Sequence, residues 1–302
     1  MERAMKISVT ACVVGAVLAL LGCLGRPVAA AEAKGGEAET GGPAGVVRSA
    51  EFAGPISGRE VRYNIYLPPG YDEAEERYPV SYFLHGVNGN ESSHNEIVVP
   101  AIEEAVADGI IEPMIVVFPN GCEDVYWGDS KDGSKPAETT IIRELIPHVD
   151  RTYRTIPDRE HRIIQGFSMG GYGAVEYAVK FPELFSICVS YDGALHTWRT
   201  LSALRPSVTE GLYGKDETYF NNYSPWVQVR RNARRVRNGV AIRLVVGAIG
   251  GLNQRYGRAL RELDIPVDYV ETGCAHDLTC IMNAAGRNSF EFIAEHLGKS
   301  DR

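Results

Sequence analysis

Arg162-Ile163-Ile164-Gln165-Gly166-Phe167-Ser168-Met169-Gly170-Gly171-Tyr172-Gly173 is the stretch on which the reading of this chain turns. A short β-branched run leads into Gly166-Phe167-Ser168-Met169-Gly170, a G-x-S-x-G pattern. Residues 174–181 continue as a helix that Pro182 stops. A nucleophilic serine needs this strand–turn–helix setting. The turn is so sharp that small residues must flank the serine, and Gly166 and Gly170 supply the room. The seryl oxygen is then exposed, with the first helical N–H groups beside it. The plainer account of the same residues is a Gly-rich β–α turn whose Ser caps the helix.

Outward from that turn, strands and helices alternate. Residues 47–52 and 61–67 read as a hairpin around a turn at 55–58. Residues 79–85, 114–118, 162–165, 186–191, 242–247 and 267–271 read as further strands, several continuously apolar as buried parallel strands are. Helices are expected over 101–108, 139–153 (with Pro147 breaking the pattern), 174–181, 253–263 and 281–297. Residues 192–239 read as a mostly helical excursion, and the arginines of 230–237 as its solvated face. The result is an α/β chain with a mostly parallel, doubly wound sheet that opens on an antiparallel N-terminal hairpin.

At 302 residues with 44% hydrophobic and 23% charged residues, the chain has the composition of a soluble globular protein. Its net charge of -8 argues against nucleic acid as a partner. Residues 1–6 are net positive, 7–21 are apolar but too short to span a bilayer, and small residues follow. Residues 1–31 are therefore expected to be a secretory signal peptide. Ala29-Ala30-Ala31 offers an ordinary cleavage site, and Leu20-Leu21-Gly22-Cys23 resembles a lipobox that would leave a lipidated Cys23. The protein is thus expected to be secreted or periplasmic, and to meet a membrane only if lipidated at Cys23. Residues 32–45, rich in Gly, Ala and Glu, read as a flexible linker, and 46–300 as one domain.

Several further motifs are similar to those of the esterase D / putative esterase family of the α/β-hydrolases. They are Tyr66-Leu67-Pro68-Pro69-Gly70-Tyr71, Leu84-His85-Gly86, Asp129-Ser130-Lys131-Asp132-Gly133, Glu138-Thr139, Glu144–Asp150 with Tyr153-Arg154-Thr155, the serine turn, and Ala275-His276. The resemblance covers nearly the whole mature chain and leans to the carbohydrate-esterase branch, which includes feruloyl and acetylxylan esterases. It implies an α/β-hydrolase fold and a secreted serine carboxylesterase acting on feruloyl or acetyl esters of a polysaccharide, or on a small acyl ester, with no cofactor. An acyltransferase on the same residues is the alternative, as is a carbohydrate-binding protein that has lost catalysis.

A serine hydroxyl is a poor nucleophile without an adjacent base. His276 follows the last strand and precedes the last helix, where the chain order of this fold puts that base. His85 reads as structural, beside the oxyanion loop. One oxyanion donor is expected at the N–H of Met169, the residue after the serine; the resemblance implies Val87 for the other. Relatives carry an Asp a few residues after the strand matching 242–247, but here Gly250 stands in its place, and no carboxylate lies between Ala241 and Arg261. Either the acid has moved or the constellation is degraded. Asp192 is the candidate for a moved acid, because it directly follows the neighbouring strand; Asp192-Gly193 as a plain turn is the rival account. Tyr126, Trp127 and Glu138 fall on the segment after the 114–118 strand, at the edge where open sheets bind ligands, and suit stacking on a sugar or phenolic ring; core packing accounts for each equally well. Cys274 and Cys280 flank His276 and could form a disulfide, while Cys188 reads as a small buried hydrophobe. No cluster has metal-ligand spacing.

Overall fold

The structure, a computed structural model, describes residues 44–121 and 126–299. The expected signal peptide, Cys23, most of the expected linker and Cys122 lie outside the described residues.

Eight strands form one sheet: β1 Val46–Ala53, β2 Glu60–Leu67, β3 Val80–Leu84, β4 Ile115–Pro119, β5 Arg162–Phe167, β6 Ile187–Tyr191, β7 Ala241–Val246 and β8 Asp268–Glu271. Their spatial order is β1-β2-β4-β3-β5-β6-β7-β8. The first two pair antiparallel with each other, β2 pairs antiparallel with β4, and all later pairings are parallel. The hairpin turn is closed by Gly54 N–H to Arg59 O at 2.7 Å.

The helices are α1 Asn95–Ala107, α2 Ile146–Thr152, α3 Met169–Lys180, α4 Trp198–Leu204, α5 Pro206–Gly211, α6 Glu217–Phe220, α7 Pro225–Arg231, α8 Ala233–Gly239, α9 Gly250–Glu262 and α10 Leu278–His296. The strands β3 to β6 are buried at every residue but Phe167 at the end of β5 because helices cover both faces, which is why they read as largely apolar runs. Successive side chains alternate between two cores. Ile164, Cys188 and Leu244 pack with α3 on one face. Ile163, Val189 and Val245 pack with α1 and α10 on the other.

Two expectations need correction. Helix α1 begins at Asn95 rather than at 101 and carries Pro100 inside it, so the proline interrupts one backbone bond without ending the helix. The helix expected over 139–153 is split into a π-helical run Thr139–Leu145 and α2, with Pro147 at the start of α2, where a missing N–H costs nothing. The excursion after β6 is helical as expected, but as five short helices, α4 to α8.

Register aligns the chemistry. Phe167 pairs with Tyr191, and Tyr191 with Val245. Ser168, Asp192 and the 247–249 loop therefore leave three adjacent strands at the same carboxyl edge, and Gly86 leaves β3 beside them.

Candidate active site

Ser168 sits between β5 and α3 at φ 58° and ψ −116°, a conformation that a residue with a Cβ adopts only when its surroundings enforce it. Three backbone bonds enforce it here. Ser168 N–H donates to Tyr191 O at 3.0 Å, and Ser168 O accepts from Tyr172 at 3.1 Å and from Ala194 at 2.8 Å. The turn closes only around bare backbone. A Cβ on Gly166 would lie 2.3 Å from Gly170 O, and one on Gly170 would lie 1.9 Å from Leu84 O. Met169 is the first residue of α3, whose opening N–H groups have no partner within the helix. Gly86 lies against the serine, since a Cβ there would be 3.4 Å from Ser168 Cβ. Val87 follows it, half-buried against the core.

His276 Nε2 lies 2.8 Å from Ser168 Oγ, and His276 Nδ1 lies 2.6 Å from Asp192 Oδ2. The carboxylate contact puts the ring proton on Nδ1 and leaves Nε2 free to accept the seryl proton. Asp192 is fully buried, whereas the His276 side chain is 37% exposed. Burying a carboxylate is costly unless its lone pairs are filled. Asp192 Oδ1 accepts the N–H groups of Gly247 at 2.9 Å and Ile249 at 3.3 Å. Asp192 itself takes φ 44°, tolerated better by Asp than by most residues. Gly250, the position at which the resemblance leads one to expect an acid, is the first residue of α9. Phe167 stacks on the His276 ring with centroids 4.7 Å apart, and the Cys274–Cys280 disulfide closes the loop that carries it.

The family described as "Putative esterase" matches residues 54–261. The chain belongs to this esterase family. Among relatives of this esterase chain, an endo-1,4-beta-xylanase/feruloyl esterase of Xylanibacter ruminicola is 34% identical over 149 residues, 47% of this chain and 20% of that protein. An esterase of Mycobacterium tuberculosis is 32% identical over 133 residues, 43% of this chain and 28% of its own. The chain thus spans less than a third of the length of these curated relatives. A solved ferulic acid esterase superposes with a TM-score of 0.73 at 22% identity, covering 84% of this chain and 99% of that one. The architecture is the α/β-hydrolase fold.

In this esterase-family chain two of the three expected substrate contacts, Tyr126 and Trp127, lie in the interior, and the third, Glu138, is half-buried. Trp127 and Tyr126 are 0% and 1% exposed, so neither ring offers a face to a substrate. Trp127 lies under α3, where a Cβ on Gly173 would be 2.5 Å from its indole; its Nε1–H donates to His85 O at 3.3 Å and its own carbonyl accepts from Tyr177 at 2.6 Å. Tyr126 packs edge-on to Tyr172 at 5.3 Å. Glu138 pairs with Lys180, whose Nζ also lies 3.6 Å from the buried Glu176. Lys180 ends α3, roughly 18 Å along the helix from Ser168. Burial lifts the Glu176 carboxyl well above the usual range, and the neighbouring Glu138 adds to it.

His85 has the structural place expected of it. Its Nε2 accepts Gly121 N–H at 3.0 Å, so Nδ1 carries the proton and donates to Gly86 O at 2.8 Å, tying down the loop that leads to Val87. Asn253 has no motif to announce it. It is fully buried, and its Nδ2 donates to Gly193 O at 2.9 Å and Ile249 O at 3.3 Å, joining the two loops that flank Asp192. No motif marks Gly247 either, yet a Cβ there would lie 3.1 Å from Asp192 Oδ2. Among the described residues, no group of three or more His, Cys, Asp or Glu is placed to hold a metal ion.

Proposed function

We propose that this chain is a secreted serine esterase that hydrolyses acyl esters carried by a polysaccharide, with feruloyl or acetyl as the acyl group. The observation that carries the reading is the continuous chain of hydrogen bonds Ser168 Oγ–His276 Nε2–His276 Nδ1–Asp192 Oδ2, at 2.8 and 2.6 Å. Ser168 attacks the ester carbonyl while His276 takes its proton, and Asp192 stabilises the imidazolium without itself being protonated. The N–H groups of Met169 and Val87 receive the oxyanion. His276 then protonates the leaving alcohol, and water enters by the same proton path in reverse to release the acid. A neutral acyl-enzyme is all the chemistry requires, so no cofactor takes part.

The relatives named as feruloyl esterases support the substrate class. Export is supported by the pattern of residues 1–31, and a disulfide at Cys274–Cys280 accords with an oxidising compartment. The contact of Asp192 with His276 supports this reading over that of a degraded, binding-only protein.

A fluorophosphonate probe should label Ser168, and the protein should hydrolyse p-nitrophenyl acetate. Ser168→Ala should abolish both. Equal rates for variant and parent would overturn the assignment. A panel of methyl ferulate, acetylated xylan and thioesters then fixes the acyl group.

A further inference from the structure

Between residues 230 and 261 the sequence holds nine arginines and no Lys, Asp or Glu, in a chain whose net charge is -8. Arg243 is buried and paired with Asp268. The other eight are exposed. Of these, Arg235 pairs with Glu183 and Arg237 with Asp264. Arg230, Arg231, Arg234, Arg255, Arg258 and Arg261 make no ion pair among the described residues. An ordinary solvated helix face interleaves acids with bases one turn apart; α7 and α8 hold no acid at all, and α9 holds one, Glu262 in its last turn.

The helices that carry these arginines adjoin. Trp226 of α7 packs edge-on to Tyr256 of α9 with centroids 5.0 Å apart, and Tyr256 Oη donates to Pro225 O. Arg237 of α8 donates to the carbonyls of Leu263 and Asp264 at the end of α9. Arg255, Arg258 and Arg261 recur at three-residue spacing along α9, close to one stripe. The stripe starts at the candidate site, for α9 begins directly after Ile249, which binds Asp192; Arg255 lies roughly 9 Å further along. It ends near a depression of about 430 Å³ lined by Arg159, Pro182, Glu183, Arg234, Arg235 and Asn238.

We propose that this arginine surface binds a carboxylate-bearing polysaccharide, a uronic-acid-containing chain, and leads it from the α8 depression along α9 to Ser168. The proposal rests on the esterase reading for its last step only. The guanidinium fork matches a carboxylate in two parallel hydrogen bonds and gives up its hydration more readily than an ammonium. A single exposed ion pair contributes little, but a polymer that repeats its carboxylates engages several arginines at once. The acidic remainder of the molecule repels the same polymer, so the surface also sets its orientation.

The test uses full-length Ser168→Ala, so that binding is read without turnover. In affinity electrophoresis it should bind polygalacturonate and glucuronoxylan in preference to a neutral mannan, and less tightly as salt rises. Adding Arg234→Gln, Arg255→Gln and Arg258→Gln should weaken the acidic polymers by about tenfold with an unchanged melting temperature. Equal affinity for acidic and neutral polymers overturns the proposal, as does a triple variant that binds as tightly as its parent. Preference for duplex DNA or for phosphatidylglycerol vesicles over the polymers also overturns it, assigning the surface to phosphates. A protein that binds the acidic polymers but cleaves no ester when Ser168 is intact leaves this proposal standing and removes the esterase reading; cleavage without acidic preference does the reverse.

Discussion

Asp192 accepts from Gly247, Ile249 and His276 at once. Its amide analogue keeps the shape but supplies one acceptor oxygen in place of two, and it can donate to His276 Nδ1 and impose the wrong tautomer. Asp192→Asn should therefore lower kcat by up to about 10⁴-fold with p-nitrophenyl acetate; a loss below about tenfold would reduce Asp192 to a turn residue. Asn253 acts one step further out. Asn253→Ala leaves the Gly193 and Ile249 carbonyls without their shared donor and should cost about 1–3 kcal/mol in urea unfolding. It should also lower kcat, because Asp192 hangs between the loops it joins. A destabilised variant with full kcat would show that those loops hold their own geometry.

At the scale of elements, the serine turn tolerates almost no added volume. The Cβ of Gly170→Ala would fall 1.9 Å from Leu84 O, backbone that β3 holds in the middle of the sheet. Overpacking of this kind costs about 1–3 kcal/mol or more, so the variant should melt lower and lose turnover together; a fully active, parent-like variant would mean that α3 can move off the sheet. The disulfide works on the neighbouring loop. Cys274 and Cys280 are six residues apart, and closing so short a loop contributes about 2 kcal/mol on a chain-entropy account. Reductant should lower both the melting temperature and kcat of the parent, and change neither in a Cys274→Ser/Cys280→Ser variant.

For the whole molecule, acid sensitivity follows from two histidines whose rings are largely withdrawn from water, His94 and His196. Both ring nitrogens of His94 are buried without a partner, and burial, with His85 adding to it, lowers its pKa to about 4. Burial, with Arg205 and Arg255 adding to it, lowers His196 to about 4 as well. Between 6.5, the ordinary value, and 4 the unfolded chain binds protons that the folded chain refuses. Stability should be level with pH above this window as far as these two groups are concerned, fall as pH drops through it, and level again below it, by on the order of 2 kcal/mol for each histidine. Urea unfolding at pH 7 and at pH 4.5 measures the drop. If His94→Phe/His196→Gln keeps the full drop, carboxylates rather than these rings carry it.

The sheet, the serine turn and the position of His276 between the last strand and the last helix are all legible in the residues alone. Each rests on local signals: largely apolar runs for strands covered on both faces, glycines where Gly166 and Gly170 meet backbone, and the chain order of elements. Tyr126 and Trp127 show where such signals stop. An aromatic pair near a strand end suits a ligand and a core equally, and here φ values of 46° and 60° accompany two rings turned into the core beneath α3. Pro100 likewise sits inside a helix that propensity alone would start after it. The contact between Asp192 and His276 is a matter of tertiary structure. Asp192 and Gly250 were both legible as positions, but whether a carboxylate 84 residues before His276 meets its Nδ1 depends on β6 lying between β5 and β7 and on the Gly247 and Ile249 N–H groups converging on one oxygen. That convergence is made by strand pairing between distant segments, and no local pattern encodes it.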